Sequence, residues 1–284
     1  MIVRDREGSM AGRRARRRLG LIGCVLGGLV IGTSSASAAD GSDGEVWHGF
    51  SLFADAGPHV IVQRAKGSAG SSFGVSGEQA NIVTNMNFRL GGGIKGPTLE
   101  FIPGRPRAVV WAAALLPLNE SSTIGTAFIE GDDPNVERIE LTKFTIEYKT
   151  SALAGVGLEF EIPVLDSEIH VTPAVEMLHL EGRYTGEIAL DSNFGGVQTN
   201  FAVRRKTETT QHFVGPTLRV ATPTFVFRDA VAIDFSLDTS LLVDVAGTRE
   251  TFGGVGENGG TGRFSMETGS GVIQVGLSLQ VRWP

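Results

Sequence analysis

Residues 142–162 read TKFTIEYKTSALAGVGLEFEI, and this alternating stretch decides the fold class. Most of its even positions are apolar, from Phe144 and Ile146 to Phe160, whereas its odd positions carry mainly Lys, Glu, Ser and Gly. A period of two places the two sets on opposite faces of a β-strand. The 21 residues exceed the length of ordinary globular strands, which is about 3–10 residues. The stretch therefore predicts one long strand with an apolar and a polar face.

The same alternation recurs along the chain and predicts seven further strands. Within one of them the apolar positions change from odd to even near Met177, which indicates a β-bulge at that point. The eight predicted strands cover about residues 46–56, 85–102, 107–118, 142–162, 168–184, 206–221, 229–246 and 268–283.

The connections between these strands alternate in length. The short connections are 103–106, 163–167 and 222–228, and the long ones are 57–84, 119–141, 185–205 and 247–267. Alternating short and long connections with an even number of strands are typical of outer-membrane barrels. The sequence thus predicts an all-β protein, an antiparallel up-and-down transmembrane β-barrel of eight strands with short periplasmic turns and long extracellular loops.

In this pattern the chain resembles the small eight-stranded outer-membrane proteins of Gram-negative bacteria, the A-type and X-type barrels. The most specific element is the terminal strand, which looks like an assembly signal ending in an aromatic residue, although Pro284 follows it here. The resemblance implies outer-membrane lipid, the barrel-assembly machinery and periplasmic chaperones as partners. The apolar residues of this signal are Ile273, Val275, Leu277, Leu279, Val281 and Trp283.

The first 38 residues have the composition of an export signal. Five arginines between Arg13 and Arg18 precede an apolar run from Leu19 to Gly32, and Ala36-Ser37-Ala38 is a small-residue cleavage site. The sequence therefore predicts a cleaved signal peptide at 1–38, a single barrel domain at 39–284 and a multi-pass protein in the outer membrane.

Composition excludes several classes of function. Without the seven Arg and two acids of the leader, the chain keeps 18 basic and 29 acidic residues, a net charge of −11. Such a surface repels nucleic acid. The only cysteine, Cys24, lies in the leader, and none of the five histidines stands in an H-E-x-x-H motif. No cofactor and no metal site is predicted, and the sequence names no ligand for the surface loops.

The two faces of the strands predict which side chains face lipid and which face the lumen. The lipid-facing set includes Phe144, Ile146, Val156, Phe160, Leu237, Leu277 and Val281. The polar set predicted to line the lumen is Glu147, Lys149, Glu159, Glu161, His170, Glu176, Arg219, Asp234, Asp238, Asp244 and Arg282. A hairpin about residues 163–167 places Glu161 opposite His170. The polar set either fills a packed interior or forms a charge ladder that admits water or small ions.

Four functions fit this pattern to different degrees. The leading interpretation is a non-enzymatic integral outer-membrane protein whose surface loops form an interaction face, and the first alternative is a narrow porin-like channel. A lipid-modifying enzyme would need His170, Thr172 and Glu176 at the lipid-facing rim, but the alternation points them inward. A soluble lipocalin-type barrel is disfavoured because like charges such as Asp234 and Asp238 share one face.

Overall fold

The structure, a computed structural model, describes residues 49–283 except for 131–135, 165–166, 195–196, 223, 228–230, 248 and 257. The predicted signal peptide lies outside these residues. No helix in the described part is long and apolar enough to cross a membrane. The twelve strands are β1 (Ser51–Ser71), β2 (Ser76–Thr98), β3 (Arg107–Pro117), β4 (Ser121–Glu130), β5 (Val136–Tyr148), β6 (Ser151–Val164), β7 (Ser167–Phe194), β8 (Val197–Ala221), β9 (Phe225–Phe227), β10 (Val231–Asp244), β11 (Arg249–Val255) and β12 (Thr261–Trp283).

Eight of these strands close into a ring of antiparallel ladders. The order around the ring is β12-β1-β2-β3-β6-β7-β8-β10, and β10 pairs with β12 again. Register pairs followed once around the ring lead from Ser51 to Ile61, a stagger of ten residues on β1. This stagger over eight strands tilts them by about 40° from the barrel axis. The predicted antiparallel eight-strand barrel is confirmed.

The stretch that was predicted as one strand, 142–162, contains two. Both β5 and β6 pair with β7, but Tyr148 aligns with Gly182 and Ala152 with His179, so four steps on one side match three on the other. The extra residue exchanges the two faces of the strand, as a β-bulge does. Val156 therefore points outward as predicted, whereas Phe144 and Ile146 lie in the interior. Their predicted lipid-facing orientation is wrong.

The bulge predicted near Met177 is absent from β7. The β7–β8 ladder runs without a shift from His170 opposite Ala221 to Phe194 opposite Val197, and even residues of β7 face inward throughout. The apolar positions change from odd to even because the surroundings of the strand change. Before Leu178 in the sequence the outward face of the strand is apolar, and from Leu178 onward the inward face is apolar.

An apolar belt surrounds the lower part of the ring. On β2, β3 and β7 the outward apolar side chains occupy runs of nine residues, on β12 a run of eleven and on β6 a run of thirteen. Transmembrane β-strands need about 9–11 residues to cross a bilayer. Exposed members of the belt are Leu52, Met86, Leu90, Val110, Val156, Val175, Leu218, Leu237 and Leu277.

Above the belt the strands continue into an extension, where long loops were predicted. The extension consists of two four-stranded sheets, one formed by β4, β5 and the upper parts of β7 and β8, the other by β11 and the upper parts of β12, β1 and β2. The predicted loops 57–84, 119–141, 185–205 and 247–267 are therefore largely strand. Their many Gly, Ser and polar residues obscured the inward apolar positions, among them Ile188, Leu190, Phe264 and Met266.

A hydrophobic core joins the two sheets of the extension. The ring of Phe144 in β5 covers Gly67 in β1, and the ring of Phe264 in β12 covers Gly186 in β7. A Cβ atom on either glycine would approach its phenylalanine ring to 2.4 Å, so only glycine fits under these rings. The other buried members of this core are Ala65, Val75, Val83, Ile124, Ile146, Tyr184, Ile188, Leu190, Phe201, Val203 and Met266.

The reversal between belt and extension predicts different costs for one substitution on the same strand. Leu218 and Thr210 both point outward on β8, the first within the belt and the second above it. We expect Leu218→Arg to destabilise the barrel by about 2–4 kcal/mol, since it places a charge in the hydrocarbon region. Thr210→Arg should change stability by no more than about 0.5 kcal/mol. Urea unfolding in lipid vesicles measures both, and equal costs would contradict the position of the belt.

Candidate functional site

The centre of the lumen holds a compact network of buried charges. Two arginines and two aspartates alternate in it, so that each aspartate lies between the two guanidinium groups. Arg89 contacts Asp55 and Asp238 at 2.6 Å each. Arg219 contacts Asp238 at 2.6 Å and Asp55 at 3.5 Å. The Arg219 guanidinium also lies 4.7 Å from the centre of the Trp111 ring, in the geometry of a cation–π contact.

Two further polar side chains border this central network. Glu176 is almost completely buried beside it, and His59 lies within hydrogen-bond distance of Gln274, at 2.8 Å. Buried charges are stable only when they are paired and hydrogen-bonded. The alternating arginines and aspartates meet this condition with four groups from β1, β2, β8 and β10.

A second charged group lies nearer the end of the barrel that carries the short turns. Lys95 contacts Glu159 at 2.6 Å, and His170 lies 3.9 Å from the same carboxylate. Arg282 lies 3.6 Å from Asp234 and donates a hydrogen bond to Thr224. The central network and this second group both consist of inward side chains on neighbouring strands. Closure of the barrel with its observed register brings these side chains together.

Most of the side chains predicted to line the lumen lie there. Those that are buried inside the barrel are Glu159, His170, Glu176, Arg219, Asp234, Asp238 and Arg282. Glu161 is opposite His170 in the register, as predicted, but its side chain is exposed at the end of β6. Asp244 is half-buried and accepts hydrogen bonds from the backbone N–H groups of Ala246 and Gly247 in a turn.

Glu147 and Lys149 require a correction. Because the extra residue between β5 and β6 exchanges the faces, the Glu147 side chain lies on the outer surface of the extension. Lys149 lies at the break itself, and its ammonium group contacts Glu208 on the outer surface of β8. Neither side chain belongs to the lumen network.

Sequence reasoning missed the contribution of the N-terminal strands to the lumen. Asp55, Arg89 and Lys95 are as buried as their partners, yet Gly91-Gly92-Gly93 interrupts the alternation around the two basic residues. A signal was present, because each of the three occupies an odd position between apolar even positions. Trp111 was missed because residues 109–118 are apolar on both faces.

An apolar layer lies in the lumen alongside and above the central charges. Leu115, Leu178, Phe213 and Leu242 are each 0% exposed and belong to one cluster. Together with two arginines and a tryptophan they fill the width of an eight-strand interior, which side chains can just occupy. The described lumen is therefore a packed interior.

The outer surface of the extension offers two features, an open groove and a charged cluster. An open groove of about 940 Å³ is lined by residues 68–72, 249, 251–255 and 261–265, with Arg249 hydrogen-bonded to Ser265 at 3.0 Å. On the opposite sheet, a charged cluster comprises Lys149, Arg183, Lys206, Glu147 and Glu208. Lys206 contacts Glu147, and Arg183 lies within 3.4 Å of both carboxylates. In the described part of the chain, no group of three or more His, Cys, Asp or Glu is placed to hold a metal ion.

The lysines hold the pKa of both carboxyl groups in this cluster below their ordinary values. For Glu147 the main cause is its hydrogen bond with Lys206, and for Glu208 it is the hydrogen bond with Lys149, followed by that with Arg183. By contrast, burial raises the pKa of Tyr184 in the core of the extension to about 12.

Comparison with known proteins finds similarity only at the level of solved structures. No protein-family model matches the sequence, and no curated protein matches it significantly. Neisserial surface protein A is 13% identical, with 81% of this chain and 97% of that chain covered and a TM-score of 0.27. Ail, the attachment invasion locus protein of Yersinia pestis, is 11% identical, with 78% of this chain and 98% of that chain covered and a TM-score of 0.19. The outer membrane protease OmpT from Escherichia coli is 10% identical, with 82% of this chain and 96% of that chain covered and a TM-score of 0.22. At these identities and scores the similarity assigns no activity to the chain.

The central network predicts a large cost for removing one buried charge. Asp238→Asn keeps the shape of the side chain but removes the carboxylate that binds both Arg89 and Arg219. We expect a loss of about 3–5 kcal/mol in the free energy of unfolding, because the lumen is left with an uncompensated positive charge. Lys66→Ala breaks the exposed pair of Lys66 with Glu78 and is the matched control, with an expected cost below about 1 kcal/mol. A loss from Asp238→Asn as small as the control's would contradict the network.

The outer cluster predicts a pH dependence that is confined to the extension. A carboxyl group with a lowered pKa adds stability above its ordinary value of 4.5, and this contribution disappears as the pH falls through the folded-state value. We therefore expect the extension to lose stability as the pH drops below about 4.5. The loss should be smaller in Glu147→Gln than in the unmodified protein, as measured by amide hydrogen exchange between pH 6 and pH 3, values chosen to bracket that range. Identical pH profiles would contradict the role of Glu147.

Proposed function

We propose that the chain is a non-enzymatic integral outer-membrane protein that anchors its β-sheet extension outside the cell as an interaction face. The observation that carries this proposal is the reversal of apolar and polar faces along single unbroken strands. It supports a strand that passes from hydrocarbon into water.

Strand β7 gives the clearest support for this passage. Its outward residues from Ile169 to Met177 are apolar or proline, and the outward residues that follow are His179, Glu181 and Arg183. Its inward residues change in the opposite sense, from His170, Thr172 and Glu176 to Leu178 and Leu180. A strand in water on both halves would need no apolar outward face. A strand in lipid along its whole length would expose the charges of the extension to hydrocarbon.

The packed lumen favours an anchor over the alternative of a porin-like channel. The paired charges of Arg89, Arg219, Asp55 and Asp238 lie in one layer, and the apolar cluster around Leu178 and Phe213 fills the neighbouring layer. A water-filled channel needs a continuous polar path. The inward orientation of His170, Thr172 and Glu176 likewise disfavours lipid-modifying chemistry, since none of them reaches the lipid-facing surface.

The ends of the barrel give the orientation that we propose. The short connections lie at the end of the barrel opposite to the extension. The first residue of β1, Ser51, and the last residue of β12, Trp283, lie at the same end. In outer-membrane barrels the short turns face the periplasm. The extension then faces the cell exterior, where the groove beside Arg249 and Arg263 and the charged cluster are accessible to a partner. Outer-membrane lipid surrounds the belt, and periplasmic chaperones and the barrel-assembly machinery deliver the terminal strand.

Single cysteines test this orientation, because the only native cysteine is Cys24 in the leader. In a Cys24→Ser background, Gln198→Cys lies at the tip of the β7–β8 hairpin and Glu100→Cys in the β2–β3 turn, both exposed. On intact Gram-negative cells, a membrane-impermeant maleimide should label Gln198→Cys only. Glu100→Cys should react after the outer membrane is permeabilised.

Three outcomes would overturn the proposal. Labelling of Glu100→Cys alone on intact cells would show that the orientation is the reverse of the one proposed. Protection of both sites, with the protein found in a soluble fraction, would show that it is not a membrane protein. A steady single-channel conductance of the purified barrel in planar bilayers would show that the protein is a pore and contradict the proposed role as an anchor.

A further inference from the structure

Two histidines face each other directly across neighbouring strands on the outer surface. His179 of β7 and His212 of β8 are register partners. His179 comes two residues after Met177 on β7, and His212 two residues before Val214 on β8, so both lie where the apolar belt ends and the extension begins. Neither belongs to the lumen network or to the hydrophobic core.

The two imidazole rings approach through their coordinating edges. The distance between the Nδ1 atoms is 3.3 Å, whereas the ring centroids are 4.8 Å apart and the ring planes differ by 44°. At this distance the two Nδ1 atoms form a hydrogen bond between the rings. One nitrogen of each ring therefore faces the other ring.

This separation fits a metal ion with two imidazole ligands. Zinc binds histidine nitrogen at about 2.0–2.1 Å in tetrahedral sites, which places two ligand nitrogens about 3.3–3.4 Å apart. The observed Nδ1–Nδ1 distance falls at this value without any movement of the strands. Imidazole is a ligand that suits zinc, copper and nickel ions.

Glu181 supports the same arrangement from behind His179. Its Oε1 lies 3.4 Å from the Nε2 of His179, the ring nitrogen that faces away from His212. A carboxylate at this position favours the tautomer of His179 in which Nε2 carries the hydrogen and Nδ1 is available as a ligand. Carboxylates in this place orient metal-binding histidines and raise their basicity.

We propose that His179 and His212 form a binding site for one zinc-class divalent metal ion, with Nδ1 of each ring as ligand, water in the remaining positions and Glu181 as the outer carboxylate. Catalytic zinc sites use three protein ligands and structural sites four, so this site is more open than either. The neighbouring charges Lys149, Arg183 and Glu208 contact one another and Glu147 in the outer cluster, and the metal would take the place of the hydrogen bond between the two rings.

Zinc titration of the untagged full barrel in detergent at pH 7.5, followed by calorimetry, tests the site. We expect one zinc ion per chain. His179→Ala and His212→Ala should each weaken binding at least about 100-fold, and Glu181→Gln about 10-fold. His48→Ala removes a histidine that lies outside the described residues and is the matched control, with no change expected. Heat-modifiable migration on a gel verifies that each variant is folded.

A second measurement reports the ligands themselves. Copper(II) bound to the unmodified protein should give an electron paramagnetic resonance spectrum with two coordinated imidazole nitrogens, and each single His→Ala variant should lose one of them. Zinc affinity that survives His179→Ala and His212→Ala would overturn the proposal. A copper spectrum of the unmodified protein without two imidazole nitrogens would overturn it as well.

Discussion

The hydrogen-bond ladder between β1 and β12 is the interaction on which the rest of the structure depends. It begins at Leu52 opposite Trp283 and continues, with one irregularity near Gln63, to Ser71 opposite Gly262. In the belt it joins the first and last strands of the ring, so that neither strand is left as an open sheet edge. In the extension the same ladder joins the central strands of one sheet. A single contact thus closes the barrel and supports the extension above it.

The barrel places its charges where lipid cannot reach them and its large apolar side chains where water cannot. Arg89 and Arg219 are stable inside the belt because Asp55 and Asp238 neutralise them at hydrogen-bond distance. Above the belt the outward side becomes charged and the inward side becomes phenylalanine and isoleucine. The edges of the two extension sheets are joined by side chains instead of ladders in the described residues. Ser122 donates to the Thr84 carbonyl, and Arg205 donates to the Val255 carbonyl.

Alternation in the sequence predicted the number of ring strands and most of the lumen, but it could not locate the changes of surroundings. On β7 the apolar side chains change from odd to even positions, which looks like a bulge in the sequence. A single sequence cannot distinguish a bulge, which moves side chains to the other face, from a regular strand whose surroundings change along its length. The opposite case occurs in 142–162, where a true extra residue beside Lys149 is compensated by a simultaneous change of solvent. The even positions therefore remain apolar from Phe144 to Phe160 although their side chains lie on opposite surfaces. Cross-strand partners such as Arg89 and Asp238 lie 149 residues apart, a separation that only closure of the ring removes.

The unbroken course of β7 has a mechanical consequence. From Leu178 to Phe194 the strand rises, at about 3.3 Å per residue and a tilt of about 40°, to a height of roughly 40 Å above the belt. No hinge interrupts the β7–β8 ladder over this distance. Under the proposed function, a partner bound at the β7–β8 tip would be held at a fixed distance from the bilayer and would turn only when the whole barrel turns. Pulling on such a partner would load the hydrogen-bond ladders of the ring directly, since β7 runs without a break from the ring to the tip.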